Sequence, residues 1–330
     1  LFSPSEIRKW EPKNLSRFEI QDGELYHNSL YLDKRASKPR NWHKSATEPL
    51  IDMILEKVKD GDVIIDYGSG TGGSAIEISK KLESLSLDCT IILIDPLESW
   101  FSKAYHLLKS RPNTFFCRSM AKDEKGKYSF LSLDEIIGNN KVDIIVSSST
   151  LHLIPPSALG SLFDQFSRSL KKGGKFFWSS GDISSLQIPT DYCLLHDPYR
   201  ELLNLINADE EYQLIEQKLD SHILDSHRRE ISRVFPLANS IDFFENHLIK
   251  SDFQGEITNH IVYKTFEESQ LFMKCQRLSV IAGAITDIQI RNQFIKNKLE
   301  EVFELLREKG YTDYNGYRTF WHYGAFWKAD

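Results

Sequence analysis

The run Asp62-Val63-Ile64-Ile65-Asp66-Tyr67-Gly68-Ser69-Gly70-Thr71-Gly72-Gly73 constrains this chain more than any other segment. A short β-branched apolar stretch passes into closely spaced glycines, and residues 74–82 then carry a helical apolar period. An uninterrupted apolar run of this length reads as a strand buried on both faces, as in a parallel sheet. Glycines at the corner permit backbone angles and close approaches that a Cβ forbids. The helix start beyond them offers unpaired N–H groups to a ligand. The segment therefore predicts an α/β fold with a ligand loop at the carboxyl end of its first strand.

The alternation extends in both directions. An amphipathic helix over 46–58 precedes the first strand. Strands are expected at 90–95, 114–117, 142–147 and 174–179, and helices at 100–109 and 157–170. Strands alternating with helices imply right-handed crossovers and a parallel sheet covered on both faces. After residue 183 the pattern changes to a long charged helix over 196–219, a β-branched strand near 257–266, and helices over 267–284 and 288–309. In the last of these, Ile295, Leu299, Val302 and Leu306 form one apolar stripe. An aromatic-rich alternating strand ends the chain at 316–328. The expected organisation is an N-terminal helical lid segment (1–60), a cofactor-binding α/β core (61–185), a helical cap region holding one core strand (186–315) and a final core strand (316–330).

The glycines alone fit two ligands. Gly68, Gly70 and Gly73 satisfy the dinucleotide pattern G-x-G-x-x-G, which would make the chain an NAD-dependent oxidoreductase. Asp66, Gly68, Gly70 and Gly72 give D-x-G-x-G-x-G instead. Two acids favour the second pattern. Asp66 stands where a carboxylate can face an ammonium group and would repel a pyrophosphate. Asp95 ends the next strand, where an acid can accept the hydroxyls of a ribose.

Further segments fit the same scheme: Leu93-Ile94-Asp95, the run 142–152 ending Ser147-Ser148-Ser149-Thr150-Leu151-His152, and Leu170-Lys171-Lys172-Gly173-Gly174-Lys175-Phe176. With the glycine loop they resemble the class I S-adenosylmethionine-dependent methyltransferases, specifically over 62–178 and loosely elsewhere. The resemblance implies a Rossmann-like seven-stranded sheet, mostly parallel, whose last strand (316–328) is antiparallel. It implies S-adenosylmethionine as cofactor and S-adenosylhomocysteine as product. The loop Gly68, Ser69, Gly70, Thr71 and Gly72 would receive the methionine portion and Asp95, with Pro96, the ribose. Ser119 and Met120 would lie against the adenine, at a position where this family often carries an acid. Ser147 and Ser148 would approach the sulfonium, and Tyr26 and Tyr31 of the N-terminal stretch would fold over the cofactor. The segment 147–153 and the helices before the last strand look most like small-acid methyltransferases of the trans-aconitate and malonyl-carrier-protein types.

Methyl transfer from a sulfonium is an in-line displacement in which positioning and electrostatics do most of the work. A carboxylate acceptor needs no base, whereas an alcohol, phenol or ammonium does. Histidine suits that task. His152, after the fourth strand, is the first candidate and His43, near Trp42 and Arg40, the second. His322 on the last strand reads as structural, and His222 and His227, with Arg228 and Arg229, as a solvated helix face. His222 and His227 are off the spacing that sets two imidazoles on one helical face, so no metal constellation appears.

Composition narrows the partners. The net charge of -6 lacks the basic excess of a protein that grips nucleic acid. No stretch approaches the roughly 18 apolar residues that span a bilayer. Cys89, Cys117, Cys193 and Cys275 are scattered, as reduced thiols of a cytoplasmic protein would be, and the polar start at 3–13 lacks a signal core. The expectation is a small-molecule acceptor handled without membrane or nucleic acid. A protein or RNA methyltransferase and a non-catalytic S-adenosylmethionine-binding protein are the alternatives.

Overall fold

The computed structural model describes residues 2–31, 41–122, 124–313 and 316–329. Helices α1 (Arg17–Tyr31) and α2 (Trp42–Leu55) precede β1 (Val63–Tyr67), followed by α3 (Gly73–Ser84), β2 (Thr90–Asp95), α4 (Glu98–Leu108) and β3 (Thr114–Arg118). A hairpin of β4 (Met120–Lys122) and β5 (Tyr128–Phe130), then α5 (Leu133–Ile137), lead to β6 (Val142–Ser148), α6 (Pro156–Ser169) and β7 (Leu170–Ser180). Next come α7 (Asp197–Ala208), α8 (Glu210–Glu216), α9 (Ser221–Val234), α10 (Ile241–Lys250) and β8 (Phe253–Lys264). The chain finishes with α11 (Phe266–Met273), α12 (Gln276–Ser279), α13 (Ile288–Glu308), β9 (Thr312–Asp313) and β10 (Gly316–Lys328).

The main sheet runs β3-β2-β1-β6-β7-β10-β8, with the two-residue β9 added beside β10 as an eighth strand. The pairs β1–β2, β2–β3, β1–β6 and β6–β7 are parallel, and β10 is antiparallel to both neighbours. The fold is therefore the expected Rossmann-like α/β sheet. Strand β1 lies between β2, which follows it, and β6, which comes much later. That is the topological switch point at whose carboxyl end a ligand crevice forms.

Strand alternation splits the core into two layers. Ile64, Leu93, Ile144 and Phe177 point into one, and Ile65, Ile92, Ile145 and Phe176 into the other. Each such side chain, fully buried, stabilises the fold by about 1.5–3 kcal/mol.

Two expected helices are broken, both by capping chemistry. The helix expected over 196–219 stops at Asp209, whose extended backbone closes α7 and whose side chain accepts the Tyr212 N–H to start α8. An aspartate so placed satisfies an orphan helix donor that a continuous helix would not offer it. The helix expected over 267–284 breaks at Cys275, which is extended. Strand β8 begins earlier than expected because β10 pairs with it from Phe253 onward.

Helix α1 lies across α4. Asp22 accepts the Trp100 indole N–H at 2.9 Å and the Gln276 N–H at 2.8 Å. The Tyr26 ring stacks on Trp100 at 3.6 Å. The N-terminal helix is thus fastened over the carboxyl end of β2.

Candidate functional site

The glycine loop is strapped to β2 by its own backbone. Gly68 and Ser69 both donate to the Ile94 carbonyl, at 2.8 and 3.1 Å. The Ser69 hydroxyl donates to the Asp66 carbonyl at 2.6 Å and accepts the Ile94 N–H at 3.1 Å. Gly68 has φ +79°, and a Cβ there would fall 2.2 Å from the Thr150 side chain, whose hydroxyl donates to the Gly68 carbonyl at 3.1 Å. Only glycine fits this contact between the β1 and β6 turns. Around Gly70 (φ +52°), by contrast, no atom lies within 4 Å of a Cβ position. The loop is held at its base and open at its crest.

Two buried carboxyls flank that crest. One Asp95 oxygen accepts the Gly70 N–H and the other the Leu97 N–H, each at 2.7 Å. Burial pushes Asp95 up to about 6, against the pull of those N–H groups and of Arg277 and Arg118. Asp66 keeps one carboxylate oxygen, Oδ2, buried with no hydrogen-bond partner. Burial is the main force raising it to about 7, with the Asp95 charge adding to it and Ser69 and Ala75 opposing it. A pyrophosphate brought here would meet two acids. A ligand with an ammonium and a ribose would supply the cation Asp66 lacks and hydroxyl donors for the remaining Asp95 lone pairs.

The other expected contacts are distributed as follows. Ser147 is buried and donates to the Tyr67 carbonyl at 3.1 Å, tying β6 to β1, while the Ser148 and Ser179 hydroxyls stand 3.4 Å apart. Ser149 between them and Thr150 has φ +55°, a strained conformation for a non-glycine residue. Ser119 is buried and donates its N–H to the Asp95 carbonyl at 3.2 Å, and Met120 opens β4. Pro96 offers its carbonyl to Arg118 at 3.0 Å. From above, His27 Nδ1 reaches the Thr71 hydroxyl at 3.1 Å. Tyr31 ends α1, and its side chain lies outside the described residues, as does Arg40.

His152 follows β6 on a single helical turn, Leu151–Leu153. It is buried, and its Nδ1 shares a hydrogen bond of 2.9 Å with the Ser180 hydroxyl. Burial lowers its pKa to about 3; His196 and Arg200 add to this, and the Asp182 carboxylate opposes it. His43 sits in the wall formed by α2, with Nδ1 3.2 Å from the Thr47 hydroxyl. Burial and the charges of Lys264 and His27 lower it to about 3. His322 is buried on β10 opposite Ser180, and His222, Arg228 and Arg229 are exposed on α9.

Sequence reasoning missed what stands behind His152. Asp182, fully buried, accepts from Arg200 at 2.6 and 3.1 Å and from the His196 backbone N–H at 3.1 Å. His196 Nδ1 lies 3.2 Å from its carboxylate, though poorly aligned for a hydrogen bond. The Asp182 N–H donates to Ser180 Oγ at 3.1 Å, and the His152 and His196 rings meet edge-on at 5.0 Å. Burial pushes the Asp182 carboxyl up, yet the charges of His196, His152 and Arg200 outweigh it and hold the group well below the carboxylate range. The available signal was positional. Ser179-Ser180-Gly181-Asp182 is a polar run at the carboxyl end of a buried parallel strand, where such sheets carry their ligands.

Among the described residues no cluster of three or more His, Cys, Asp or Glu could hold a metal ion, and no helix is long and apolar enough to cross a membrane.

A family model described as a methyltransferase domain matches residues 58–270. A curated relative, carboxy-S-adenosyl-L-methionine synthase of Nautilia profundicola, is 30% identical over 148 residues, 45% of this chain. The matched region spans about half (56%) of that relative's length. Among solved structures, a candidate sarcosine dimethylglycine methyltransferase from Galdieria sulphuraria is similar at TM-score 0.53 and 13% identity, covering 94% of this chain and 99% of that one. A cyclopropane synthase from Mycobacterium tuberculosis is similar at TM-score 0.51 and 13% identity, covering 95% and 100%. The chain belongs to the methyltransferase domain family, and its core is the Rossmann-like sheet described above.

Proposed function

We propose that the protein transfers the methyl group of S-adenosylmethionine to a small-molecule acceptor, at oxygen, nitrogen or a carboxylate, beneath its helical cap. In this reading Asp66 faces the amino group, the backbone of 68–72 receives the methionine portion, and Asp95 with Pro96 takes the ribose. Ser119 and Met120 flank the adenine, and Ser147 and Ser148 bring β6 towards the sulfonium end. The sulfonium supplies an activated methyl group, so the chain's own task is to align the acceptor, exclude water and receive any proton released.

The observation that carries the reading is the enclosed polar cluster of His152, Ser180, Asp182, His196 and Arg200, joined to the donor loop through Thr150. Its burial suits a small acceptor better than a polymer, which needs an open groove. His152 is uncharged at neutral pH, and because burial lowers its pKa to about 3 it becomes a useful base only where a bound acceptor and the Asp182 carboxylate stabilise the imidazolium. Its partner Ser180 fixes the ring, and the Asp182 carboxylate two groups away favours the imidazolium that would form. His43 is held against Thr47 on α2.

The test is label transfer from methyl-labelled S-adenosylmethionine into small-molecule, protein and RNA fractions of a cell extract. Label should appear in the small-molecule fraction, and His152→Ala should abolish most of it while binding S-adenosylhomocysteine normally. Label confined to protein or RNA would refute the acceptor class. Full turnover by the variant would remove His152 from the mechanism.

A further inference from the structure

Lys264, the last residue of β8, is buried to 1% exposure, and its ammonium has no hydrogen-bond partner. It rests among the rings of Trp42 and Phe272, each 4.1 Å away, and Tyr199 at 4.9 Å. Tyr317 is its cross-strand partner on β10, so the two side chains share a face of the sheet. The fully buried hydroxyls of Tyr199, Tyr317 and Ser269 stand within reach of one another, though none of their contacts is well aligned for a hydrogen bond. Glu268, whose charge acts on Lys264, spends its oxygens on the backbone N–H groups of Trp42 and Thr265. Four elements thus bring together one cation and three hydroxyls, with no carboxylate hydrogen-bonded to the ammonium.

Ring faces recover only about 0.5–2 kcal/mol for a cation, far less than burying an unpaired ammonium costs. Nature rarely leaves such a group without a counterpart. The counterpart that fits is a monoanion, because one lysine balances one charge and a dianion would carry an uncompensated second. An aromatic wall connects this place to the donor end, since Phe272 lies 6.0 Å from Tyr26, which stacks on Trp100 beyond Asp95.

We propose that Lys264, with the hydroxyls of Tyr199, Tyr317 and Ser269, forms a buried subsite for one carboxylate of the methyl acceptor. This rests on the small-molecule reading above and narrows it to carboxylic acids whose apolar part packs on Trp42 and Phe272. Burial lowers the Lys264 ammonium to about 7, while Glu268 and Cys275 pull it upward. His43 on α2 and Tyr199 on α7 are the other titratable groups facing it, with Tyr317 on β10. A bound carboxylate favours the charged lysine, so affinity should fall as pH rises past 7.

The test uses the whole protein, carrying 13C-labelled lysine and saturated with S-adenosylhomocysteine, titrated with phenylacetate, phenylacetamide and phenyl phosphate. Phenylacetate should bind and move the Lys264 titration midpoint up by about one pH unit or more; phenylacetamide should do neither. Lys264→Met should weaken phenylacetate at least tenfold, and Tyr317→Phe, which keeps the ring, severalfold, both without changing S-adenosylhomocysteine affinity. An unmoved Lys264 signal, or equal binding of the amide, would overturn the subsite, the latter meaning that water fills it. Preference for phenyl phosphate would overturn the monoanion assignment. Repeating the titration without S-adenosylhomocysteine separates failure of this subsite from failure of the donor site.

Discussion

Asp66→Asn should make the ligand-free protein more stable at pH 8 and weaken its hold on S-adenosylmethionine at the same time. The Asp66 carboxyl is raised from 3.8 to about 7, chiefly by burial, and one of its oxygens has no partner. In the unfolded chain it loses its proton near 3.8; in the fold it keeps the proton until about 7. Its contribution is therefore fully present below 3.8, declines as pH rises through 7, and is absent above, a swing of up to about 4 kcal/mol. Asparagine does not ionise, so the variant should gain some fraction of that swing at pH 8 and little at pH 4, read as a difference in Tm. An ammonium beside Asp66 reverses the preference and expels the proton. At pH 6.5 roughly three-quarters of a proton should leave Asp66 on binding, measurable by calorimetry with S-adenosylhomocysteine in buffers of different ionisation enthalpy. Asp95, raised to about 6, adds a smaller release that persists in the variant. Affinity in the variant should drop by about 1–3 kcal/mol, the range of a charge-assisted hydrogen bond. Equal affinity together with equal proton release in wild type and variant would refute the claim that Asp66 meets the amino group.

Two further outcomes follow from the same geometry. Asp95→Ala removes the acceptor of the Gly70 and Leu97 N–H groups. It should weaken S-adenosylhomocysteine by about 1–3 kcal/mol and speed amide exchange at Gly70; unchanged affinity would place the ribose elsewhere. Arg200→Met strands Asp182 without its closest cation and should destabilise the fold by about 3–5 kcal/mol. Because the Asp182 carboxyl is depressed in the fold, its stabilisation is present above about pH 4 and is lost as pH falls towards its folded value. The variant should thus unfold at higher pH on the acid side than the wild type, and an unshifted acid midpoint would contradict the pairing.

Much of the β1–β2 end of the sheet is legible in the amino-acid sequence because it is built from contiguous segments. Val63–Tyr67 and the glycines that follow encode strand, corner and helix start in one run, and Asp95 closes the next strand by the same logic. Helix ends are less legible. Asp209 and Cys275 break continuous periodicities through backbone geometry that an apolar pattern does not record. The polar cluster is legible only in part. His152 stands out by its place after β6, but Asp182, His196 and Arg200 become one unit only when the segment after β7 folds back on itself. Lys264 is hidden for a different reason. A lysine ending a strand ordinarily reaches solvent, and only the packing of α2, α7 and α11 turns it inward.

The buried charges themselves separate scaffold from ligand site. Asp182 has its cation in Arg200, so the fold completes that pair unaided and uses it to hold His196 and, through Ser180, His152. Asp66 has an oxygen without a donor, and Lys264 has donors without an acceptor. Each of these two groups shifts towards its neutral form, the ordinary response of an ionisable group buried without its counterpart. Their signs are opposite and they stand on different strands, Asp66 on β1 and Lys264 at the end of the edge strand β8. Neither can neutralise the other, and each calls for a ligand group of the other sign. A cationic donor at Asp66 and an anionic acceptor at Lys264 would restore both to their charged states. Binding of the two substrates should then release a proton at one end and take one up at the other, so the proton balance of each half-complex reports which site has been filled.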